Sequence, residues 1–407
     1  MSKKWLEHEG ARWVERQIVT KEQYNQILSL YDDKKHAVGI LPILGSVLVG
    51  LGILSFIAAN WQDISQMLRL VIILAVMSGF YAAGDRLLKR GHEKLGIALI
   101  GIGLIAFGGG IVLVGQMFHM VAYDVKSFLV WGTAGILTTY LYRSRYLFLI
   151  SLLILNIAQL YSASSFHDFN WIALMLTVVG LGWYAYRWAN SLLTWLLGLS
   201  ILLHAIVLLA VEDGKLLWFY LIAMAMYSAG DWLRDRSQLS AVQSAPLTGA
   251  YLMGLFLVLF ARLDSEAAWM DDHLLPSASV YFPILLVLLA VSAYGKWRRK
   301  REGSALEWLL FLPLAYLPGS AVEVTLLIAL FLFSLYVLWR GYAEEWRMKI
   351  NIGTLLFLFT TMVAYTKLTW GFMDKSLFFL IGGGMLLTLS WLLNRRKKQV
   401  LEDTKEG

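Results

Sequence analysis

Long apolar blocks separated by short polar segments recur along the chain from about residue 40 to residue 393. Most blocks contain about 17–22 residues, the length of α-helix that crosses a hydrocarbon core of roughly 30 Å. Inside lipid every backbone polar group needs an internal partner, so only helices and closed barrels span a membrane. The pattern therefore predicts an all-α polytopic membrane protein.

Composition agrees with this fold class. Of the 407 residues, 58% are apolar and 15% are charged, whereas soluble domains carry about 25% charged residues. Cysteine is absent, which excludes disulfides, thiolate nucleophiles and cysteine-ligated metal centres. Residues 1–39 are polar and helix-forming, so we do not expect a cleavable signal peptide.

The blocks predict about fourteen transmembrane helices. The predicted spans are 40–60, 67–85, 95–117, 127–142, 145–162, 170–186, 191–211, 214–230, 245–262, 278–295, 304–317, 320–339, 350–367 and 376–393. Span 304–317 is the weakest, because it is short and contains Pro313. A re-entrant path there would reduce the count to thirteen. The predicted domains are a cytoplasmic helical hairpin over 1–38, a transmembrane bundle over 39–394 and a basic cytoplasmic tail over 395–407.

The basic residues predict that both chain ends are cytoplasmic. In that orientation the outer loops hold six of the 35 lysines and arginines, namely Arg69, Lys126, Lys215, Arg262, Lys367 and Lys375. The other 29 lie on the cytoplasmic side, as the positive-inside rule requires. The net charge of +7 thus reflects membrane topology, and we expect membrane lipids rather than nucleic acid as partners.

The N-terminal 38 residues predict two short amphipathic helices. Thr20 offers an N-cap for the second helix, and Gln23 completes a capping-box pattern. Three roles stay open for this hairpin. It could be a cytoplasmic cap on the bundle, a module for protein partners or self-association, or a segment that binds the membrane surface.

Two parts of the sequence resemble a known family. The hairpin pattern from Val14 to Tyr24 is followed, at the end of the first span, by Ala58-Ala59-Asn60-Trp61. Together they resemble the bacterial membrane proteins catalogued as domain of unknown function 2157, most strongly over residues 10–150. The run 375–384 and the following Asn-Arg-Arg are similar to the tails of that family. The resemblance implies a bacterial inner-membrane protein. It implies no activity and no cofactor, and it transfers no functional residue.

One eight-residue pattern occurs twice. Residues 80–87 and 226–233 share a Tyr-small-Ala-Gly-Asp core, and they lie 146 residues apart. This distance equals six predicted spans, so the two copies have the same orientation and suggest a parallel internal repeat. Their aspartates, Asp85 and Asp231, could be interfacial ion pairs that hold helix ends. They could instead be equivalent ion or proton sites at a repeat interface.

Three polar residues inside predicted spans are candidates for function. His204 is the deepest titratable residue, about two thirds of the way along span 191–211. Asn156 and Gln159 lie one turn apart in span 145–162. Such side chains often join helices by hydrogen bonds, and they also mark proton relays or polar substrate pockets. Both interpretations stay open.

Span 95–117 is rich in glycine, which predicts close helix packing; unwinding of the run 108–110 toward a cavity is the alternative.

At the outer face, Asn60 and Asp63 flank Trp61 in the first outer segment. Asp63 could act as the carboxylate of a membrane-embedded glycosyl or lipid transferase. The short outer loops argue against that chemistry, and no metal-ligand spacing of histidines occurs.

Three function classes follow from these observations. A transporter or flippase of a small or lipid-like solute fits the number of spans, the repeat and the buried polar residues. A non-catalytic scaffold fits the hairpin and the sparse charge inside the spans. A membrane-embedded transferase is the third class. We do not expect a cofactor, and a non-enzymatic role is favoured.

Overall fold

The computed structural model describes residues 10, 12–17, 19–24, 41–59, 65–119, 123–188, 190–233, 241–260, 274–298, 302–317 and 321–369, with isolated positions between 380 and 388. Helices make up most of these residues and no strand occurs among them, which confirms the all-α fold class. The chain divides into two compact units, residues 1–155 and 156–407, and each is described by itself.

The helix boundaries follow the predicted spans closely. The helices are α1 Leu41–Ala59, α2 Gln66–Lys89, α3 Glu93–Met117, α4 Lys126–Tyr142, α5 Arg145–Tyr161, α6 Trp171–Met175, α7 Gly182–Arg187, α8 Ser191–Val211, α9 Trp218–Leu233, α10 Ala241–Phe260, α11 Ala278–Arg298, α12 Ala321–Ala343 and α13 Arg347–Thr369. A π-helical stretch, Leu176–Leu181, joins α6 to α7. Eight of the described helical segments are long and apolar enough to cross a membrane. The total of fourteen spans stays a prediction.

The described part of the N-terminal hairpin contains the predicted capping box. The backbone N–H of Gln23 donates to Thr20 Oγ1 at 3.2 Å, and the backbone N–H of Thr20 donates to Gln23 Oε1 at 3.0 Å. Gly10 lies against the ring of Tyr24, where a side chain would collide with that ring. The two arms of the hairpin therefore contact each other.

Helix α3 packs against α1, α2 and α4 in the first unit. It is a continuous α-helix over all 25 residues, which confirms close packing rather than unwinding. At Gly108 a Cβ atom would overlap the ring of Trp131, whose indole N–H donates to the Leu104 carbonyl at 2.8 Å. Gly96 similarly brings α3 against Gly84 of α2. The glycines thus admit bulky rings and a neighbouring backbone.

The core of the second unit is formed by residues of α8 to α13 and of a segment between α11 and α12. This segment, residues 302–317, is called the 3₁₀ segment below. It consists of two 3₁₀ helices, Glu302–Phe311 and Leu314–Tyr316. Between them the Leu314 N–H donates to the Leu312 carbonyl at 2.8 Å. With Pro313 at φ −78° and ψ 51°, this bond forms an inverse γ-turn.

The 3₁₀ segment contacts four helices, α9, α10, α11 and α12. In its first half, the Trp308 indole donates to Ser292 in the last third of α11 at 3.1 Å. Near its end, the Tyr316 hydroxyl donates to the carbonyl of Pro276, just before α11, at 2.7 Å. The segment therefore runs antiparallel to α11. A 3₁₀ helix rises about 2.0 Å per residue, so these few residues extend farther than the same number in an α-helix.

Candidate functional site

The last turn of α9 places a buried carboxylate inside the second unit. Asp231 is 2% exposed. Its Oδ1 accepts from Gln243 Nε2 of α10 at 2.5 Å, and its Oδ2 accepts from the Ser292 hydroxyl of α11 at 2.6 Å. Gly295, one turn after Ser292, has no side chain at the point where Asp231 Cβ approaches within 3.1 Å of the position a Cβ would take. Two neutral donors thus bind the carboxylate, and the absence of a side chain at Gly295 leaves space for it.

Lys296 of α11 is the nearby cation. Its ammonium lies 3.9 Å from Asp231 Oδ1 and donates to the Tyr227 hydroxyl at 2.6 Å. It also lies 4.8 Å from the centre of the Tyr227 ring and 5.5 Å from that of Trp308, within the range of cation–π attraction. Lys296 is 6% exposed. The sequence analysis counted it with the following cytoplasmic loop, and the structure places it inside the helix bundle.

The network continues onto the 3₁₀ segment. The Tyr227 hydroxyl donates to Glu307 Oε2 at 2.5 Å, and Arg340 of α12 donates to Glu307 Oε1 at 2.9 Å. Arg340 also donates to the Tyr336 hydroxyl at 3.1 Å. The Glu307 side chain is 13% exposed. One hydroxyl, that of Tyr227, therefore links Lys296 to Glu307.

The network ends at the surface between α12 and α13. Glu344 accepts from Arg340 and Lys349, each at 2.7 Å. Burial raises the pKa of the Glu344 carboxyl, but the ammonium of Lys349 and the guanidinium of Arg340 outweigh burial and hold this pKa below its ordinary value. The described end of the network is thus anchored by a carboxylate that stays ionised at neutral pH.

Three carboxylates and three cations alternate along the network, so its formal charges balance. The members are Asp231, Lys296, Glu307, Arg340, Glu344 and Lys349. Buried charges that lack partners are very costly, and pairing with further hydrogen bonds reduces that cost. An arrangement of this kind can exchange partners. A proton, an ion or a charged solute that neutralises one member would release its neighbour.

Asp85 has a different environment from Asp231, although the two share a sequence pattern. Its carboxylate pairs with Lys89 one turn later at 2.6 Å, and its side chain is 41% exposed. In both copies the preceding glycine packs on the next helix, Gly84 against Ile100 and Gly230 against Gln243. The shared pattern thus coincides with a similar glycine contact, while the carboxylates differ in burial. The internal repeat stays a prediction.

The other predicted polar residues lie apart from the ionic network. His204 and Gln159 are completely buried, and Asn156 accepts from the Ser200 hydroxyl at 2.7 Å. Asn60 and Asp63 lie outside the described residues, as do most of the acidic outer loop and the basic tail.

Asp231 was a candidate site residue from the sequence, but Lys296, Tyr227 and Glu307 were not predicted as members of a site. Glu307 carried a usable signal, because it is the only charged residue within the predicted span 304–317, and intramembrane charges mark functional sites. Lys296 carried a weaker one. It follows Ser292 by one helical turn and directly succeeds a glycine.

Comparison with known proteins gives one family match, over the N-terminal third of the chain. The family model described as predicted membrane protein DUF2157 matches residues 11–148. This match confirms the resemblance found in the sequence. No curated protein and no solved structure matches the chain significantly. The DUF2157 match ends before the second unit, so the ionic network lies outside it.

Proposed function

We propose that this protein is a transporter that moves a small or lipid-like solute across the bacterial inner membrane, with both chain ends in the cytoplasm. The observation that carries the proposal is the position of the 3₁₀ segment. It contacts four helices of the second unit and brings Glu307 into a partly buried ionic network. Membrane lipids surround the bundle, and the proposal needs no cofactor.

Backbone that departs from α-helix at membrane depth occurs where protein buries it or where it lines a cavity. Secondary transporters place their substrate and ion sites at such interrupted helices. The 3₁₀ segment is interrupted at Pro313 and lines an apolar cavity of about 20 Å³, beside Tyr220, Ala250, Tyr281 and Leu330. Long 3₁₀ runs are uncommon and often mark a functional hinge, which supports a segment that changes conformation during transport.

The network supplies a means of coupling. Glu307 is held by one neutral donor, Tyr227, and one cation, Arg340. If Glu307 were protonated or paired with a solute cation, Arg340 would lose one of its two carboxylate partners. The 3₁₀ segment would then be free to move relative to α11 and α12. An anionic solute could act in the same way by competing for Arg340.

A non-catalytic scaffold is the second candidate. It is favoured by the small size of the cavity, about 20 Å³, and by the complete pairing of the described charges of the network. A cavity of this volume holds about one water molecule. A transporter must therefore open from the described conformation, whereas a scaffold would keep it.

The test is uptake by proteoliposomes under proton and sodium gradients. Vesicles are incubated with a polar extract of bacterial cytoplasm, and captured solutes are identified by mass spectrometry. A parallel arm measures bleaching of a fluorescent phospholipid by external dithionite. A transporter predicts capture or lipid flipping that Glu307→Gln abolishes while Glu345→Gln, an exposed control, does not. Equal signals from protein-free and loaded vesicles in both arms would favour the scaffold.

A further inference from the structure

Gln159 and His204, two completely buried polar side chains of the second unit, make no hydrogen bond to the described residues. Gln159 of α5 and His204 of α8 are both 0% exposed. Neither amide atom of Gln159 and neither ring nitrogen of His204 has a hydrogen-bond partner among the described residues. The large majority of buried side-chain polar atoms have a partner in protein or ordered water. Four unpartnered atoms on two side chains therefore point to a ligand.

A hydrogen bond places these side chains at a similar level. The Ser200 hydroxyl of α8 donates to Asn156 Oδ1 of α5 at 2.7 Å. Gln159 follows Asn156 by three residues and His204 follows Ser200 by four, so each lies on the same helix face as its bonded neighbour. One predicted span, 170–186, separates α5 from α8, so the two helices run in the same direction. Gln159 and His204 then lie one turn beyond the bond, on the same side.

We propose that Gln159 and His204 line an internal water-binding site between α5 and α8. Water fits because it both donates and accepts, as a glutamine amide and a neutral imidazole do. Buried waters typically make about three hydrogen bonds to groups of this kind. A charged ligand does not fit, since α8 contains no lysine, arginine, aspartate or glutamate and the only one in α5 is Arg145 at its first position. A metal would need more ligands than one histidine provides.

This site is independent of the proposed transport function. It rests on Gln159, His204 and the Asn156–Ser200 bond, and it uses no member of the ionic network. The site would place water inside an otherwise apolar part of the bundle, with the His204 imidazole beside exchangeable water protons.

The test is X-ray radiolytic labelling of the full-length protein in nanodiscs, read by mass spectrometry. Radiolysis of a bound water generates hydroxyl radicals beside the residues that hold it, even when bulk solvent cannot reach them. We expect oxidation of His204 despite its complete burial. After a rapid change into heavy-oxygen water, the label at His204 should appear more slowly than at the exposed His92. The internal control is Met224, which is 0% exposed inside the apolar core and intrinsically more reactive than histidine.

Labelling of His204 at or below the level of Met224 would overturn the proposal. The variants Gln159→Leu and His204→Leu give a second measurement. A hydrated site predicts that Gln159→Leu lowers the label at His204 and that neither variant raises the thermal midpoint. A dry site predicts that both variants raise the midpoint, because each removes an unsatisfied polar group. If a variant does not fold, labelling of the wild-type protein decides alone.

Discussion

Removal of the Lys296 ammonium should destabilise the ionic network more than any other single substitution in it. In Lys296→Met the side chain keeps much of its volume, but Asp231 loses its nearest cation. Asp231 is 2% exposed and retains only the neutral donors of Gln243 and Ser292. The Tyr227 hydroxyl also loses a donor at 2.6 Å. The variant therefore leaves an uncompensated charge inside the bundle.

The distance sets the size of the effect. At 3.9 Å and an effective dielectric constant of about 20, two unit charges attract by about 4 kcal/mol. Removal of one member of a buried pair typically costs about 3–5 kcal/mol. We expect Lys296→Met to lower the free energy of unfolding by about 3 kcal/mol. The neutral double variant Asp231→Asn, Lys296→Met should regain much of that loss, with a coupling of about 2 kcal/mol.

The assay is a double-mutant cycle on the purified protein in one detergent, with unfolding followed by tryptophan fluorescence. The control cycle uses Asp124 and Lys126, whose carboxylate and ammonium lie only 2.6 Å apart, with side chains 43% and 83% exposed. Solvent screening should leave that pair without measurable coupling. Additive effects of the two substitutions at Asp231 and Lys296 would refute the argument that burial, rather than distance, makes this pair strong.

Three further predictions address other parts of the fold. Gly108→Ala should destabilise the protein by about 1–3 kcal/mol through overlap with the Trp131 ring, whereas Gly115→Ala, where nothing lies within 4 Å of the added carbon, should have little effect on the thermal midpoint. The pKa of Glu344 is lowered in the folded state, so its stabilisation is present above the unfolded pKa of about 4.3 and is lost as pH falls through the lower folded pKa. The thermal midpoints of wild type and Glu344→Gln should therefore differ at pH 7 and converge at strongly acidic pH. A difference between the two midpoints that grows on acidification would contradict this sign. Reporter fusions should indicate cytoplasm after residues 91, 144, 236, 300, 344 and 398 and the outside near residues 64, 166 and 270; opposite sides for 344 and 398 would exclude fourteen spans.

Helix positions were predictable because the membrane imposes length and polarity on each helix separately. The predicted span 191–211 coincides with α8, and 278–295 differs from α11 only at its last turn. The departure at 304–317 is physically different. Pro313 signalled an interruption, but the 3₁₀ form of Glu302–Phe311 depends on contacts with four helices. No local pattern specifies such contacts.

The ionic network was only partly predictable for a related reason. Asp85 and Asp231 follow the same Ala-Gly pair, yet one is 41% exposed and the other is buried. Their environments differ because the side chains around Asp231 come from α10 and α11. Lys296 was assigned to a loop because charge counting treats every basic residue beyond an apolar block as solvated. Lys296 is buried by partners that are distant in the sequence, so counting it as solvated was wrong.

The proposed transport requires that the 3₁₀ segment line a path that opens to each side of the membrane in turn. The natural absence of cysteine allows a direct measurement, because Leu310→Cys introduces a single thiol at a buried position, 6% exposed, that lines the cavity. A membrane-impermeant thiol reagent is applied to right-side-out and inside-out vesicles, with Tyr123→Cys, 82% exposed in the predicted outer loop, as the one-sided control. We predict modification at position 310 from both sides, and faster modification when Glu307→Gln is added, because the neutral amide no longer holds Arg340 as an ion pair. Protection of position 310 from both sides, while position 123 reacts from the outside, would contradict it.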